Sequence, residues 1–267
     1  MSNNSNPATI GLIHQLGRSG GTIISKCLAV MENVVLLSEI HPLGKEMARN
    51  RSPQEAATFM PLSQAYRWFG LFDEGEIERL QQAYAGMKFI DEIDLILSRC
   101  AERGYQLVLR DFNNVDFTGI EFRTTPPHQF LTYDVLSQRF VLKRIFTVRH
   151  PIDQWMSVSR YVDVGETDLS AYLLGCRVFA EAAREVGFVR YEDFCENPDD
   201  CLRILCDRLA IAYSGQWRDR WQSYTHITGD RDARTDSREI KPRPRLALAP
   251  EVMAEFEANE DYHKIIE

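Results

Sequence analysis

Short apolar runs recur along the chain, each closing on glycine or charge, and between them lie longer stretches with apolar residues three and four apart. Residues 10–15 (IGLIHQ) read as a buried strand, and residues 20–31 as a helix with Ile24, Leu28 and Met31 on one face. Residues 34–37 (VVLL), 105–109 (YQLVL), 144–148 (RIFTV) and 188–190 (FVR) read as further strands. Residues 53–104 are helical in pattern, in several pieces punctuated at Gly70, Gly75 and Gly86. Helices are expected over 152–161, 169–185, 199–209 and 216–225, with a short one after Pro250. Trp68, Trp155, Trp217 and Trp221 fall in helical stretches, as core or half-buried residues. Residues 112–127 and the polar, proline-bearing residues 228–245 read as loops.

Strands alternating with helices imply βαβ units: an α/β fold whose central parallel sheet is covered on both faces. With no internal repeat and no linker composition, residues 1–267 are expected to form one domain. Ligands in such sheets sit beyond the carboxyl ends of the strands. Three strand ends therefore matter: LGRSGGT, LRDF and VRHP.

Composition narrows the field. A hydrophobic content of 44% with 26% charged residues is that of a globular chain, and a net charge of −8 argues against a nucleic-acid partner. The six cysteines form no CxxC pair and no zinc-type spacing, which points to reduced thiols. The polar start, MSNNSNPAT, lacks a signal-peptide core, and no apolar run approaches the roughly 20 residues that span a bilayer. The expectation is a cytoplasmic protein without a membrane span. Oligomeric state stays open, a homodimer included.

GRSGGT, residues 17–22, joins the first strand to the first helix. Backbone N–H groups of a glycine-rich turn and of a helix N-terminus cradle anions. Gly17, Gly20 and Gly21 allow close approach, Ser19 and Thr22 bring hydroxyls, and Arg18 brings a planar cation. No Gly-Lys pair follows, and Lys26 falls too far into the helix, so this is not a Walker loop. A tight turn with no ligand fits the same residues. At the second strand end, Arg149 precedes Pro151, which suits a first helical position, and Asp153, Ser157 and Arg160 then share one helix face. Arg149 and Ser157 could converge on one anion; a capped helix with a solvated polar face reads equally well.

Together these segments resemble the sulfotransferases that use 3'-phosphoadenosine 5'-phosphosulfate (PAPS). GRSGGT is similar to their phosphosulfate loop, and RHPIDQWMS, residues 149–157, to their 3'-phosphate motif. VRYEDFCENPDDCLRILCDRLAI, residues 189–211, resembles a segment whose tyrosine lies near the adenine, and REIKPRPR, residues 238–245, a late basic loop that closes over the 3'-phosphate. The resemblance implies a P-loop-like three-layer sandwich. It assigns Arg18, Ser19, Gly20, Gly21 and Thr22 to the phosphosulfate, Arg149 and Ser157 to the 3'-phosphate, Tyr191 to the adenine, and Arg243 and Arg245 to the closing loop. It implies transfer of a sulfuryl group to a hydroxyl of a small-molecule or carbohydrate acceptor, in a pocket shaped by residues 53–104 and 112–127. The product would be adenosine 3',5'-bisphosphate (PAP).

Such a transfer needs charge stabilisation and a base. Arg18 cannot donate a proton at neutral pH and would stabilise charge on the leaving phosphate. The histidine of the cytosolic enzymes is missing from LVLRDFNN, residues 107–114. Some bacterial and carbohydrate-acting relatives place a glutamate after the first helix, where this chain has Glu39, so Glu39 ranks first, ahead of His41 and Asp111. Glu39 could instead be a solvated strand-end carboxylate, His41 a cap, and Asp111 an ion-pair partner of Arg110. His14 reads as a packed core histidine. The charged stretch 229–239 could order as a lid over bound cofactor. Two rival readings remain: an ATP-dependent small-molecule kinase, which would want a Walker lysine, and a nucleotide-binding interaction protein without turnover.

Overall fold

The computed structural model describes residues 8–49, 51–84, 86–120, 125–161, 168–229, 239–241, 245 and 247–267. Five strands are present among the described residues: β1 (Thr9–Gln15), β2 (Val34–Ile40), β3 (Gln106–Asp111), β4 (Val141–Val148) and β5 (Phe188–Arg190). Helix α1 (Gly21–Ala29) links β1 to β2. Helices α2 (Gly44–Ala48), α3 (Pro53–Ala57), α4 (Pro61–Phe69), α5 (Glu74–Tyr84) and α6 (Phe89–Glu102) fill the connection from β2 to β3. Then come α7 (Asn114–Phe117) and α8 (Leu131–Leu136) before β4, and α9 (Pro151–Tyr161) and α10 (Leu169–Val186) before β5. After β5 follow α11 (Tyr191–Glu196), α12 (Pro198–Leu209), α13 (Trp217–Arg220), α14 (Pro250–Ala258) and α15 (Glu260–Ile266).

All strand pairs are parallel, in the order β2-β3-β1-β4-β5. The chain leaves β1 toward one edge and leaves β4 toward the other. The order therefore reverses between β1 and β4, and the crevice beyond their carboxyl ends is where such sheets take ligands. The two anion-type loops of the sequence lie at those two ends.

Alternation along β1 explains the layers. Ile13 faces a core shared with Ile24 and Leu28 of α1, Leu205 of α12, and Trp217. Ile10 and Leu12 face the opposite core, with Leu62 of α4 and Ile93 and Ile96 of α6. Around β4 a third cluster joins Phe146 to Phe117, Phe179 of α10 and Phe256 of α14. Trp217 and Trp221 are buried, while Trp68 and Trp155 are half-buried. No helix among the described residues is long and apolar enough to cross a membrane.

The structure departs from the sequence reading in several places; β4 starts earlier, at Val141, α11 is additional to the expected helices, and two helices run from Pro250 onward where one is expected. β2 and β3 each run further than their apolar cores, taking in Ser38, Glu39 and Ile40, and Arg110 and Asp111. Residues 112–127 are not all loop, because α7 forms within them. The short helices α2 and α8 have too few turns to show a period. The helix expected over 216–225 is one turn of α-helix continued by a 3-10 turn, Trp221–Ser223.

Candidate functional site

The loop after β1 is set by close contacts. Arg18 and Gly20 both have positive φ, 66° and 83°, and Gly20 caps α1 in a left-handed conformation. A Cβ at Gly20 would run into the Tyr191 ring, and one at Gly21 into Oε1 of Gln15. Two side chains from the β3–α7 turn hold the loop from below. Asn113 Oδ1 accepts from the Gln15 N–H at 3.0 Å, and Asn114 Oδ1 from the Gly17 N–H at 2.6 Å. From α9, Gln154 Nε2 donates to the Gly17 carbonyl at 2.8 Å. The asparagines lie nearly a hundred residues from the loop in sequence, and nothing in LVLRDFNN marked them as its clasp.

The two strand ends meet. Arg18 Nε donates to Ser157 Oγ of α9 at 3.0 Å, and Arg149 Nη1 donates to the Arg18 carbonyl at 3.1 Å. The Arg149 guanidinium stands 5.0 Å from the Tyr191 ring centroid, in cation–π range. Arg18, Arg149, Ser157, Gly20 and Tyr191 thus form one cluster at the β1/β4 crevice. Within it, the buried Ser19 Oγ and Arg149 Nε have no hydrogen-bond partner among the described residues. A native fold rarely leaves such groups orphaned without a ligand or water to satisfy them. Arg245 is exposed beside the same helix, its Nε 3.3 Å from Asp153 Oδ2. Arg243 and most of the 229–239 stretch lie outside the described residues.

Glu39 occupies a β-bulge. The β2–β3 register shifts between Ser38 and Ile40, and Glu39 sits at φ 56°. Bulges beside active sites re-aim a side chain, and a left-handed glutamate costs on the order of 1–3 kcal/mol that the surroundings must hold. The surroundings are specific. Glu39 Oε1 lies 3.0 Å from Nη2 of Arg110, a fully buried arginine at the end of β3. Arg110 also donates to Thr22 Oγ1 at 3.2 Å, and to Thr228 Oγ1 at 2.6 Å and its carbonyl at 3.1 Å. Burial pushes the Arg110 guanidinium below its ordinary pKa, with Glu39 opposing. Arg110 therefore pairs with Glu39, which corrects the reading of Asp111 as its ion-pair partner. Thr228 completes the cluster, its Oγ1 2.6 Å from Ser38 Oγ. Arg110 and Thr228 were not among the site residues read from sequence. Thr228→Val is expected to lower unfolding stability by about 1–3 kcal/mol, because it leaves donors of a buried guanidinium short of an acceptor; urea unfolding would measure this.

The other two base candidates are closed in. His41 is buried; its Nδ1 accepts from the Leu43 N–H at 3.1 Å, so Nε2 carries the proton toward Asp116 Oδ1, also 3.1 Å away. Asp111 is fully buried and accepts from Thr132 Oγ1 at 2.6 Å, Asn113 Nδ2 at 2.8 Å and its neighbour's N–H at 2.9 Å. His14 Nδ1 lies 2.9 Å from Asp111 Oδ2, and Arg144 Nε donates to His14 Nε2 at 3.0 Å. That fixes a neutral imidazole with its proton on Nδ1. His14 lies between Phe130 and Phe146, at centroid distances of 4.8 and 4.6 Å. Of the three candidates, Glu39 alone keeps a partly exposed carboxylate, 17% by side chain.

Burial lowers the His14 pKa, against the pull of Asp111. An unfolded histidine titrates near pKa ~6.5. Below that pH the unfolded chain takes up a proton that native His14 refuses. This contribution to stability is full above the unfolded value and is lost as pH falls toward the native one. Wild type should therefore lose more melting temperature between pH 7 and 5 than His14→Gln does. Burial raises the pKa of nearby Asp116, which acts in the opposite sense, so the difference between the two proteins is the readout.

A cavity of about 210 Å³ opens just past the end of β2, between the start of α2, the α3–α4 connection and the start of α6. His41 lines it, two residues beyond Glu39. Its other walls come from the 53–104 segment and from residues 42–46.

No protein-family model matches the chain, and no curated protein does. Solved structures do. The sulfotransferase domain of the olefin synthase from Synechococcus PCC 7002 is 20% identical, with a TM-score of 0.65 over 95% of this chain and 94% of that one. The sulfotransferase domain from the curacin biosynthetic pathway is 16% identical, with a TM-score of 0.60 over 97% and 96%. The fold expected from the motifs is the fold observed: a parallel sheet between helical layers, with the sulfotransferase architecture over nearly its whole length.

Proposed function

We propose that the chain is a sulfotransferase that moves the sulfuryl group of PAPS to a hydroxyl of a small-molecule or carbohydrate acceptor. The observation that carries this reading is the convergence of the glycine loop and the β4–α9 turn in one crevice. There Arg18 meets Ser157 at 3.0 Å, while Ser19 Oγ and Arg149 Nε have no hydrogen-bond partner among the described residues. A nucleotide with phosphates at two positions would occupy both ends of that cluster at once.

The loop N–H groups, Ser19 and Thr22 would bind the phosphosulfate, with Gly20 and Gly21 letting the loop pack against Tyr191 and Gln15. Arg149 and Ser157 would bind the 3'-phosphate, and Tyr191 would flank the adenine. Arg245, with Arg243, would border the mouth. When bound, PAPS supplies an activated sulfuryl group on a phosphate leaving group. Arg18 would offset charge that develops on that phosphate, a role for a permanent cation. Glu39 would take the proton from the acceptor hydroxyl, with Arg110 fixing its carboxylate and the bulge aiming it. His41, Asp111 and His14 would position rather than exchange protons.

Calorimetric titration with PAP, with 5'-AMP and Mg-ATP as controls, tests the reading. Binding of PAP well above that of both controls is expected. Binding of ATP without PAP would overturn the proposal and favour the kinase.

A further inference from the structure

The cavity past β2 carries a statement about the acceptor, and it rests on the sulfotransferase reading above. We propose that it is the acceptor subsite and that it takes a neutral polyhydroxy compound of one-ring size, such as a single sugar or a cyclitol.

Position supports this first. The nucleotide crevice lies at β1 and β4, and β5 continues on that side. Glu39 and Arg110 lie on the other side, at the ends of β2 and β3. The cavity lies at the β2 edge, with His41 two residues from Glu39 in its wall, so an acceptor seated there leaves the β1 and β4 strand ends to the nucleotide.

Charge supports it next. Glu92 is buried, 1% exposed, and its Oε1 lies 3.1 Å from Lys45 Nζ, which also donates to the Met87 carbonyl at 2.7 Å. Both residues line the cavity. The pair is polar yet neutral as a unit. An incoming ammonium would compete with Lys45 for Glu92, and an incoming carboxylate would face both Glu92 and the rim residue Glu46. Each would leave the buried Glu92 carboxylate, or the part-exposed Lys45 ammonium, without its partner, and the buried charge carries the larger cost. Hydroxyl groups disturb neither charge, and a carboxylate, with about four lone-pair sites, accepts several of them.

Size and shape complete the argument. The volume of about 210 Å³ is room for one small ring. Phe59 and Phe89 line the same space, apolar faces on which the C–H side of a ring can lie.

The test holds the scaffold constant and varies charge. With saturating PAPS, methyl glucoside, glucuronate and glucosamine are compared as acceptors by PAP release. Methyl glucoside should exceed the two charged sugars by about tenfold or more in kcat/KM. Glu92→Gln should raise KM for methyl glucoside by about tenfold, with kcat and PAP affinity within about twofold of wild type. The Lys45→Met/Glu92→Gln double variant removes both charges together and guards against misfolding, and its unaltered PAP binding would report an intact fold. Equal or better use of a charged sugar, no turnover of any of the three, or an unmoved KM in Glu92→Gln would overturn the inference while PAP binding stands. Absence of PAP binding in wild type would instead remove the sulfotransferase reading beneath it.

Discussion

Arg149→Ala is expected to weaken PAP binding by about 10- to 100-fold, the loss of one charge-assisted hydrogen bond at about 1.5–3 kcal/mol. Turnover at saturating PAPS should fall much less. Arg149 stands where the sheet order reverses, at the end of β4. One of its nitrogens holds the Arg18 carbonyl and another is buried without a partner among the described residues. Alanine removes the guanidinium that would read the 3'-phosphate and the tie that keeps the β1–α1 loop against β4. Arg149→Lys separates these contributions. It restores a charge but not the planar fork, so it should recover part of the affinity. The control is 5'-AMP, which lacks the 3'-phosphate: its binding should fall much less than that of PAP, by what the loop tie alone contributes. If 5'-AMP loses as much as PAP, Arg149 supports the loop and does not read the 3'-phosphate. If kcat collapses while PAP affinity holds, the roles of the two strand ends are exchanged.

The parts legible in sequence were those whose signal is short in range. IGLI followed by GRSGGT writes strand, turn and helix within adjacent residues, and RIFTVRHP does the same at β4. What could not be read was made by pairing across the fold. Asn113 and Asn114 look like ordinary turn residues until β3 is laid beside β1, where they become the clasp on Gln15 and Gly17. Arg110 and Asp111 look like the charged end of a strand, yet both are fully buried. Apolar periodicity undercounts strands at this end of a parallel sheet, because polar side chains there are buried against one another. The bulge at Glu39 is invisible in VVLLSEI, since it exists only in the register between β2 and β3. Thr228 comes from more than a hundred residues beyond β3, in a stretch that composition marks only as loop.

The same geometry gives the Glu39→Gln variant two separable effects. If Glu39 is the base, kcat should drop by about 10²–10⁴-fold, the usual range for a general base, with PAP affinity unchanged. The substitution also alters a buried ion pair. Arg110 is fully enclosed, and Glu39 is the carboxylate placed against it, 3.0 Å away. Removing one partner of such a pair commonly costs about 3–5 kcal/mol. Gln keeps the shape and an amide oxygen for Arg110, so the loss should fall below that range, whereas Glu39→Ala should reach it. Denaturant unfolding and single-turnover kinetics on both variants then assign the residue. Loss of turnover in Glu39→Gln beyond what its stability explains makes Glu39 the base. Loss of stability with turnover retained makes it a counter-ion that anchors Arg110, and the acceptor's proton must then leave by another route. The left-handed backbone at Glu39 favours the first outcome. A counter-ion for Arg110 could be supplied from ordinary strand geometry, whereas a carboxylate aimed out of the ladder toward the loop needs the bulge.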